Sequence, residues 1–592
     1  ALMPAFGSGS PPDIVISALK LSADLVSSGI SPLKRMGRVS QLLVEFLGVF
    51  DDKSSVIKVM DILIVTQKTR RKMELTTLSA WAQLVQKGVS LKKEELKQFT
   101  EEYWDVLFPL WILSLREYVM IKYESRKSEI SKGGKVNESQ NSKLEPYEGV
   151  WLNMVIALSC VLEAKPEVVL SCLNKTEIES FMFILFTQCV EVLVKKMDER
   201  DLKVKVLATL HIILKCGVPL DTLFEDGANE EIVGILDRLM IMGNNEERLQ
   251  LIKVIDDLIK RYRRMNNNHD AFLHGIDKVY ELLRLLLMPI SEMLPFIKYN
   301  SFEEDEEKDL KLNDQDLVLL REAFSVLESN VVEFDDIFKI DLYSCLLFIV
   351  GQIYQSEERD KILPIIYPLL RTISKDLATA NEESPLLSTF LDSIKTVVLG
   401  KLSSENQLAS ILILLTSGFN GLSQDYLDSF TSILVKSLRN EDTRVIATHG
   451  FKSMVNNGFQ HSCCRYIIKK SISEFSKCIA NENADTGTKM LDIVEAFASK
   501  YVQGESEMLA SAFALNLSII LAYSDGRSND DVAAAKIMAL IKLDKQTFRR
   551  VIHDFMNEQQ KACLEHMIET SPSFASTMDS TENIGLELRS FR

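Results

Sequence analysis

One cluster of histidine and cysteine residues has side chains of the types that bind zinc: His461, Cys463, Cys464 and Cys478. A structural zinc site needs four donors that converge in a tetrahedron, and its paired cysteines are usually separated by two or more residues. Cys463 and Cys464 are adjacent, and the spacing to Cys478 matches no familiar site. We therefore predict core thiols at a helix start, no metal here, and no cofactor elsewhere in the chain.

Motifs for catalysis are missing from the sequence. There is no GxxxxGK[ST] loop, no nucleophile elbow and no HExxH. Gly133, Gly134 and Lys135 lie in a polar segment without a preceding strand or a following helix, so they lack the context of a phosphate-binding loop. The seven histidines have no recurring acidic or nucleophilic partners. We predict that the chain is not an enzyme.

Two compact basic clusters stand out in a chain whose formal net charge is −16. They are Lys68, Arg70, Arg71 and Lys72, and then Lys260, Arg261, Arg263 and Arg264. Either cluster could be a solvated helix end, since cations near a C-terminus complement the helix dipole. Either could instead dock an acidic peptide or an anionic lipid headgroup, and we predict these eight residues as partner-binding. The acidic total argues against general nucleic-acid binding.

The elements that must position these residues are predicted to be helices. The sequence is 46% hydrophobic and 26% charged, with only 14 Pro and 24 Gly, which favours long uninterrupted elements. In one stretch five apolar or aromatic residues recur at helical spacing and form one face: Trp104, Leu107, Trp111, Leu115 and Tyr118. We expect four neighbouring residues to widen this face: Leu110, Leu113, Val119 and Met120. We predict that Trp111 is fully buried between helices.

Helix–turn–helix units recur about 40 residues apart, which predicts an all-α fold, an α-solenoid of HEAT-like helical hairpin repeats. Two stretches, 201–217 and 441–458, are typical of second HEAT helices. Each begins near an aspartate, has a valine beside a basic residue, and ends at a glycine. Aspartate caps a helix start and glycine favours its end.

The polar breaks divide the chain into seven predicted segments. They are an appended linker (1–12), N-terminal helical repeats (13–124), a polar flexible loop (125–147), HEAT-like repeats (148–299), an acidic loop (300–313), HEAT-like repeats (314–570) and a flexible C-terminal tail (571–592). The linker and the start at Ala1 suggest a fragment of a longer protein. The acidic loop is either solvated or a docking site for a basic partner.

Compartment and membrane association follow from two further features. No apolar run reaches the roughly 20 residues that span a bilayer; the closest, 181–194, is interrupted by polar residues. The nine scattered cysteines suit free thiols in a reducing compartment. We expect a cytoplasmic protein.

Four segments resemble, in order, the large HEAT-repeat accessory proteins of the clathrin adaptor complex, the family of the animal HEAT-repeat-containing protein five and its fungal relatives. The first two are Arg70–Val85, with Ala80-Trp81-Ala82, and Pro109–Ile121 ("PLWILSLREYVMI"). The others are Ile235–Ile259 and the terminal "FRRVIHDFMNEQQKACLEHMI" with "IGLELRSF". Their shared order supports the resemblance more than any one motif.

The resemblance implies a non-enzymatic scaffold in clathrin-adaptor-dependent vesicle traffic between the trans-Golgi network and endosomes. It implies association with the adaptor complex through smaller, largely disordered accessory proteins, and peripheral membrane association through those partners. A peptide or helix in a solenoid groove would be a further ligand. The alternatives are a HEAT-repeat nuclear transport receptor and the helical scaffold of a giant kinase-like protein.

Overall fold

The structure is a computed structural model, and it describes most of the chain with gaps between segments. The described residues are 3–6, 10–28, 37–51, 67–90, 94–131, 143–195, 199–216, 220–265, 276–294, 312–332, 334, 336–380, 385–418, 422–459, 461–500, 506–524 and 530–570. The acidic run at 301–311, Gly133 to Lys135 and the tail at 571–592 lie outside them.

The chain forms two compact units, Ala1–Ile290 and Ser291–Arg592. The first is built from α1 Pro12–Ser28, α2 Gly37–Asp51, α3 Gln67–Ser90, α4 Glu94–Glu101, α5 Trp104–Ser131, α6 Trp151–Ala164, α7 Pro166–Leu170, α8 Lys175–Lys195, α9 Arg200–Lys215, α10 Asp226–Met242, α11 Asn245–Met265 and most of α12 Ile276–Met293. The second contains α13 Asp314–Val331, α14 Asp336–Gln355, α15 Arg359–Ala380, α16 Pro385–Gly400, α17 Ser404–Thr416, α18 Gln424–Arg439, α19 Glu441–Asn456, α20 Ser462–Cys478, α21 Ala484–Lys500, α22 Ser506–Ser524, α23 Asp530–Leu543, α24 Lys545–Asp554 and α25 Glu558–Thr570.

Helices in each unit pack against the next helix and the next but one. In the first unit one layer follows α1, α3, α6, α9 and α11. In the second unit one layer follows the odd helices from α13 to α23, and even helices from α18 to α24 form the other. This stacking of hairpins, with no strand in the described segments, confirms the predicted all-α solenoid of helical repeats.

Local signals place the helix starts. Asn313 precedes α13, and its side chain accepts a hydrogen bond from the backbone N–H of Asp316, while the Asp316 carboxylate accepts one from the Asn313 N–H. This is a capping box, which satisfies two otherwise unpaired donors at the helix N-terminus. Asn440 caps α19 in a simpler way, by accepting from the Asp442 N–H.

Helix α5 buries its predicted face. Trp104, Leu107, Trp111, Leu115 and Tyr118 are all buried. The Trp111 indole is fully buried, and its N–H donates to the carbonyl of Leu78 on α3 at 3.1 Å. The prediction of a buried helix–helix contact is confirmed.

The expected widening of that face is wrong for two residues. Leu113 and Met120 have 62% and 60% of their surface exposed. They lie seven residues apart, on the side of α5 opposite to the packed face. Leu110 and Val119 are half-buried. Sequence periodicity alone did not separate the edge of the packed face from its solvent side.

Three further segments differ from the sequence interpretation. Helix α5 continues to Ser131, inside the segment expected to be a loop. The ring of Phe6 packs edge-on against that of Phe46, with the ring centroids 5.4 Å apart. At least one residue of the expected linker therefore contributes to the fold. The window 507–524 of α22 is apolar and long enough to cross a membrane, but 61% of it is buried in the fold, as in a core helix.

Candidate partner-binding site

The first basic cluster lies in the opening turns of α3. Lys68, Arg70, Arg71 and Lys72 occupy the N-terminal end of the helix, where the dipole is positive and cations are disfavoured. At this end of the helix the four cations oppose the dipole and need nearby carboxylates. The structure supplies them from α3 itself, through Glu74, and from two other parts of the chain, through Glu117 and Glu145.

The side chain of Arg71 is held by contacts within the fold. Its guanidinium donates to the Tyr147 hydroxyl at 3.1 Å and to the Ser114 hydroxyl at 3.4 Å. It also forms ion pairs with Glu74, at 2.7 Å, and with Glu117 on α5. Burial lowers the pKa of Arg71, but hydrogen bonds and charges from Glu74 and Tyr147 outweigh burial and raise it. Arg71 thus ties α3 to α5 and to the segment before α6.

Lys68 also has an internal partner, Glu145. The hydrogen bond from Lys68, followed by its charge, holds the pKa of the Glu145 carboxyl below its ordinary value, and Lys72 adds a smaller electrostatic effect. Both members of the pair are largely solvated, so the pair contributes little stability.

Arg70 and Lys72 are the members of the first cluster that retain capacity for a partner. Both are partly exposed. In the described part of the chain, Arg70 forms no hydrogen bond or ion pair, and Lys72 acts on Glu145 only through its charge. We define Arg70 and Lys72 as the α3 basic patch.

The second cluster is divided by Arg261. This residue is 6% exposed, and its guanidinium donates from Nε to the carbonyl of Leu214, in the last turn of α9, at 3.1 Å. Burial lowers the pKa of Arg261. The last carbonyls of a helix lack intrahelical donors, and Arg261 satisfies one of them. Arg261 cannot belong to a surface patch while it makes this contact.

The register of α11 explains the position of Arg261. Leu251, Val254, Leu258 and Arg261 follow one another at intervals of three or four residues, and all are buried. The remaining cations are more exposed. Lys260 pairs with Asp256 at 2.6 Å, Arg264 is exposed, and Arg263 is half-buried.

Two of the four candidate zinc donors lie in the core of the second unit, whereas His461 and Cys478 are half-buried. Cys463 and Cys464 are buried, and the Cys464 thiol donates to the carbonyl of Leu415 at 3.1 Å. Burial raises the pKa of Cys464 to about 12, so the thiolate that zinc requires is disfavoured. The described residues contain no group of three or more metal donors, and the absence of zinc stays a prediction.

A polar cavity of about 390 Å³ in the first unit was not predicted. It lies beside the starts of α9 and α11 and is lined by Arg200, Lys203, Asn244 and Glu247 among others. The buried Lys203 and Glu247 form an ion pair at 2.9 Å. This pair neutralises the charge of Lys203 within the cavity.

A charge network in the second unit was also missed. Asp492 on α21 pairs with Lys536 on α23 at 2.5 Å and with Lys452 on α19 at 3.5 Å. Burial raises the pKa of Asp492, but the hydrogen bond from Lys536 and the surrounding lysine charges outweigh it and lower the pKa. The network links three successive helices of one layer. Its members are about 40 residues apart in sequence, so local sequence patterns do not predict it.

These features define the chain as an α-helical repeat protein of the solenoid class. The model of the Laa1/Sip1/HEATR5 HEAT repeat region matches residues 1–120, and the model of LAA1-like C-terminal TPR repeats matches residues 423–581. The chain is 40% identical to the AP-1 accessory protein LAA1 of Saccharomyces cerevisiae over 602 aligned residues, which cover all of this chain and 30% of that protein.

The chain therefore spans about a third of the length of this relative. Among solved structures, a crystal structure of importin beta aligns with 93% of this chain and 69% of its own chain. The TM-score is 0.40 and the identity is 12%. That similarity adds nothing to the assignment.

Proposed function

We propose that this chain is part of an accessory scaffold of the AP-1 adaptor complex. The observation that carries the proposal is 40% identity, along its whole length, to a protein described as an AP-1 accessory protein. The scaffold would act without catalysis, at the cytoplasmic side of the trans-Golgi network and endosomes, in clathrin-dependent traffic. Its association with the adaptor would run through smaller, largely disordered accessory proteins.

Helical repeats support such a role physically. Stacked hairpins expose long rows of helix surface, and these suit peptides and helices supplied by flexible partners. A disordered partner loses conformational entropy on binding but can cover an extended surface. The membrane would be reached through these partners.

The test of the proposed role is co-purification from cells. The full-length protein that contains this chain, carrying an affinity tag, should recover AP-1 subunits, and the recovery should fall when the segment described here is deleted. Recovery of a small GTPase of nuclear transport in place of AP-1 would overturn the proposal and favour the transport-receptor alternative.

Within this role, the α3 basic patch is proposed to capture an acidic peptide. Arg70 and Lys72 lie near the positive end of the α3 dipole, which adds to their attraction for carboxylates. Such exposed charges affect association rate and salt dependence more than final affinity. Arg71 is excluded from this role because its contacts hold α3 against α5.

The patch is tested with charge reversals that leave Arg71 intact. The Arg70→Glu, Lys72→Glu double variant should keep its helical circular dichroism and bind a Glu/Asp-rich peptide more slowly, most clearly at low salt. Lys469→Glu, an exposed cation on α20, is the matched control. Unchanged association of the double variant at low salt would refute the patch but leave the adaptor role standing.

A further inference from the structure

The solvent side of α5 carries a row of apolar side chains. We define the α5 stripe as Val106, Leu113, Met120 and Tyr123, with 42%, 62%, 60% and 64% of their surface exposed. Spacings of seven, seven and three residues place all four on the same side of the helix. The row is about 26 Å long at the rise of an α-helix. Single exposed apolar residues need no explanation, but four on one side of a helix form a candidate binding surface. Arg116 and Glu117 lie between Leu113 and Met120 and are paired with Glu177 and Arg71.

The residues that flank the stripe are mostly acidic. Glu102, Asp105 and Glu124 are exposed, and within the described segments none of the three forms an ion pair. Arg116, on the same side of α5, is already paired with Glu177 at 3.2 Å. Lys127 adds one positive charge beyond Tyr123, which leaves the border of the stripe net negative.

We propose that the α5 stripe binds a basic amphipathic helix from a partner protein. Its apolar side would cover Leu113 and Met120, and lysines or arginines along its edges would lie against Asp105 and Glu124. A straight apolar row of this length matches the way an amphipathic helix docks along another helix. The acidic border supplies complementarity to the flanking cations and so sets the sign of the partner's charge.

The charges also decide against a membrane surface rich in anionic lipids, which the acidic border would repel. The proposal goes beyond the adaptor role and does not depend on it. The stripe selects a basic partner, whereas the α3 basic patch selects an acidic one.

The test uses a synthetic Leu/Lys helix, with leucines along one side and lysines at both edges, labelled for fluorescence anisotropy. A peptide with glutamates in place of the lysines and a scrambled peptide are the comparisons. The Leu/Lys helix should bind the chain and the other two should not. The Leu113→Gln, Met120→Gln double variant should weaken binding at least about tenfold, the loss expected when an apolar contact of this size is removed.

Two further variants separate the stripe from general stickiness. Met508→Gln, which changes a methionine of similar exposure on α22, should leave binding unchanged. Asp105→Asn with Glu124→Gln should weaken binding and reduce its salt dependence. All these positions are exposed, so the variants should keep the helical circular dichroism of the parent.

Four results would overturn the proposal. Two concern the peptide: the Leu/Lys helix does not bind, or it binds the Leu113→Gln, Met120→Gln variant as well as the parent. The other two are self-association of the parent that the same double variant lacks, and binding to anionic vesicles that depends on the stripe. The last two would assign the surface to a second copy or to a membrane.

Discussion

Replacement of Trp111 by alanine tests the packing that holds the first unit together. The indole is fully buried between α5 and α3 and donates to the Leu78 carbonyl at 3.1 Å. Truncation of a buried aromatic to alanine costs about 3–5 kcal/mol, because apolar contacts are lost and a cavity remains. Loss of the hydrogen bond adds about 1 kcal/mol, which places Trp111→Ala in the upper part of that range. Trp111→Phe keeps most of the ring and should cost about 1–2 kcal/mol.

Urea unfolding followed by tryptophan fluorescence measures the loss of stability in the first compact unit, which contains Trp111. All four tryptophans, Trp81, Trp104, Trp111 and Trp151, lie within the first compact unit. The signal from the three that remain in the variant therefore reports unfolding of that unit alone. With a slope of about 3 kcal/mol per molar urea, the alanine variant should unfold at a midpoint lower by roughly 1–2 M.

A matched substitution on the same helix gives the control. Leu113→Ala removes an exposed apolar side chain from α5 and should change the free energy of unfolding by less than about 0.5 kcal/mol. Superimposable urea curves for Trp111→Ala and the parent would refute the buried contact. Equal losses for Trp111→Ala and Leu113→Ala would show that burial of the indole does not set the stability of α5.

Three other expectations concern the second cluster, the charge network and the thiols. Arg261→Met should lower the free energy of unfolding by about 1–3 kcal/mol because a buried helix carbonyl loses its donor, while Lys260→Met should change it by less than about 0.5 kcal/mol in the same urea experiment. The pKa of Asp492 is lowered from 3.8 in the folded chain, so its contribution to stability is present above pH 3.8 and is lost as the pH falls through the lower folded value. Asp492→Asn should therefore flatten the acid side of the stability profile measured by circular dichroism, and an unchanged profile would contradict the pairing. Elemental analysis should find far less than one zinc per chain, and stoichiometric zinc that is lost when Cys463 and Cys464 become serine would contradict the assignment of core thiols.

The repeated helices were predictable because their signal is local. Apolar residues at intervals of three and four, few prolines, and capping residues near each start specify helices without knowledge of distant contacts. The face of α5 that contains Trp111 was predicted correctly for this reason. The exposed side was not, because a helix that carries apolar residues on most of its circumference does not reveal in sequence which of them meet a neighbour.

The candidate site was less predictable because charge clusters look alike in one dimension. The position of Arg261 is recoverable, since it shares its helical register with Leu251 and Leu258, which are buried. The role of Arg71 is not recoverable in this way. Its partners Glu117 and Tyr147 lie 46 and 76 residues further along the chain, and only the fold brings them together.

The same contacts sharpen the functional prediction for the first cluster. Glu74, Glu117 and Glu145 offset the charges of Arg71 and Lys68, so the positive potential available to a partner comes mainly from Arg70 and Lys72. Reversal of Arg71 would confuse loss of binding with loss of the contact between α3 and α5. Reversal of Arg70 and Lys72 alone changes the potential while it leaves that contact in place, so an effect on binding can then be attributed to charge.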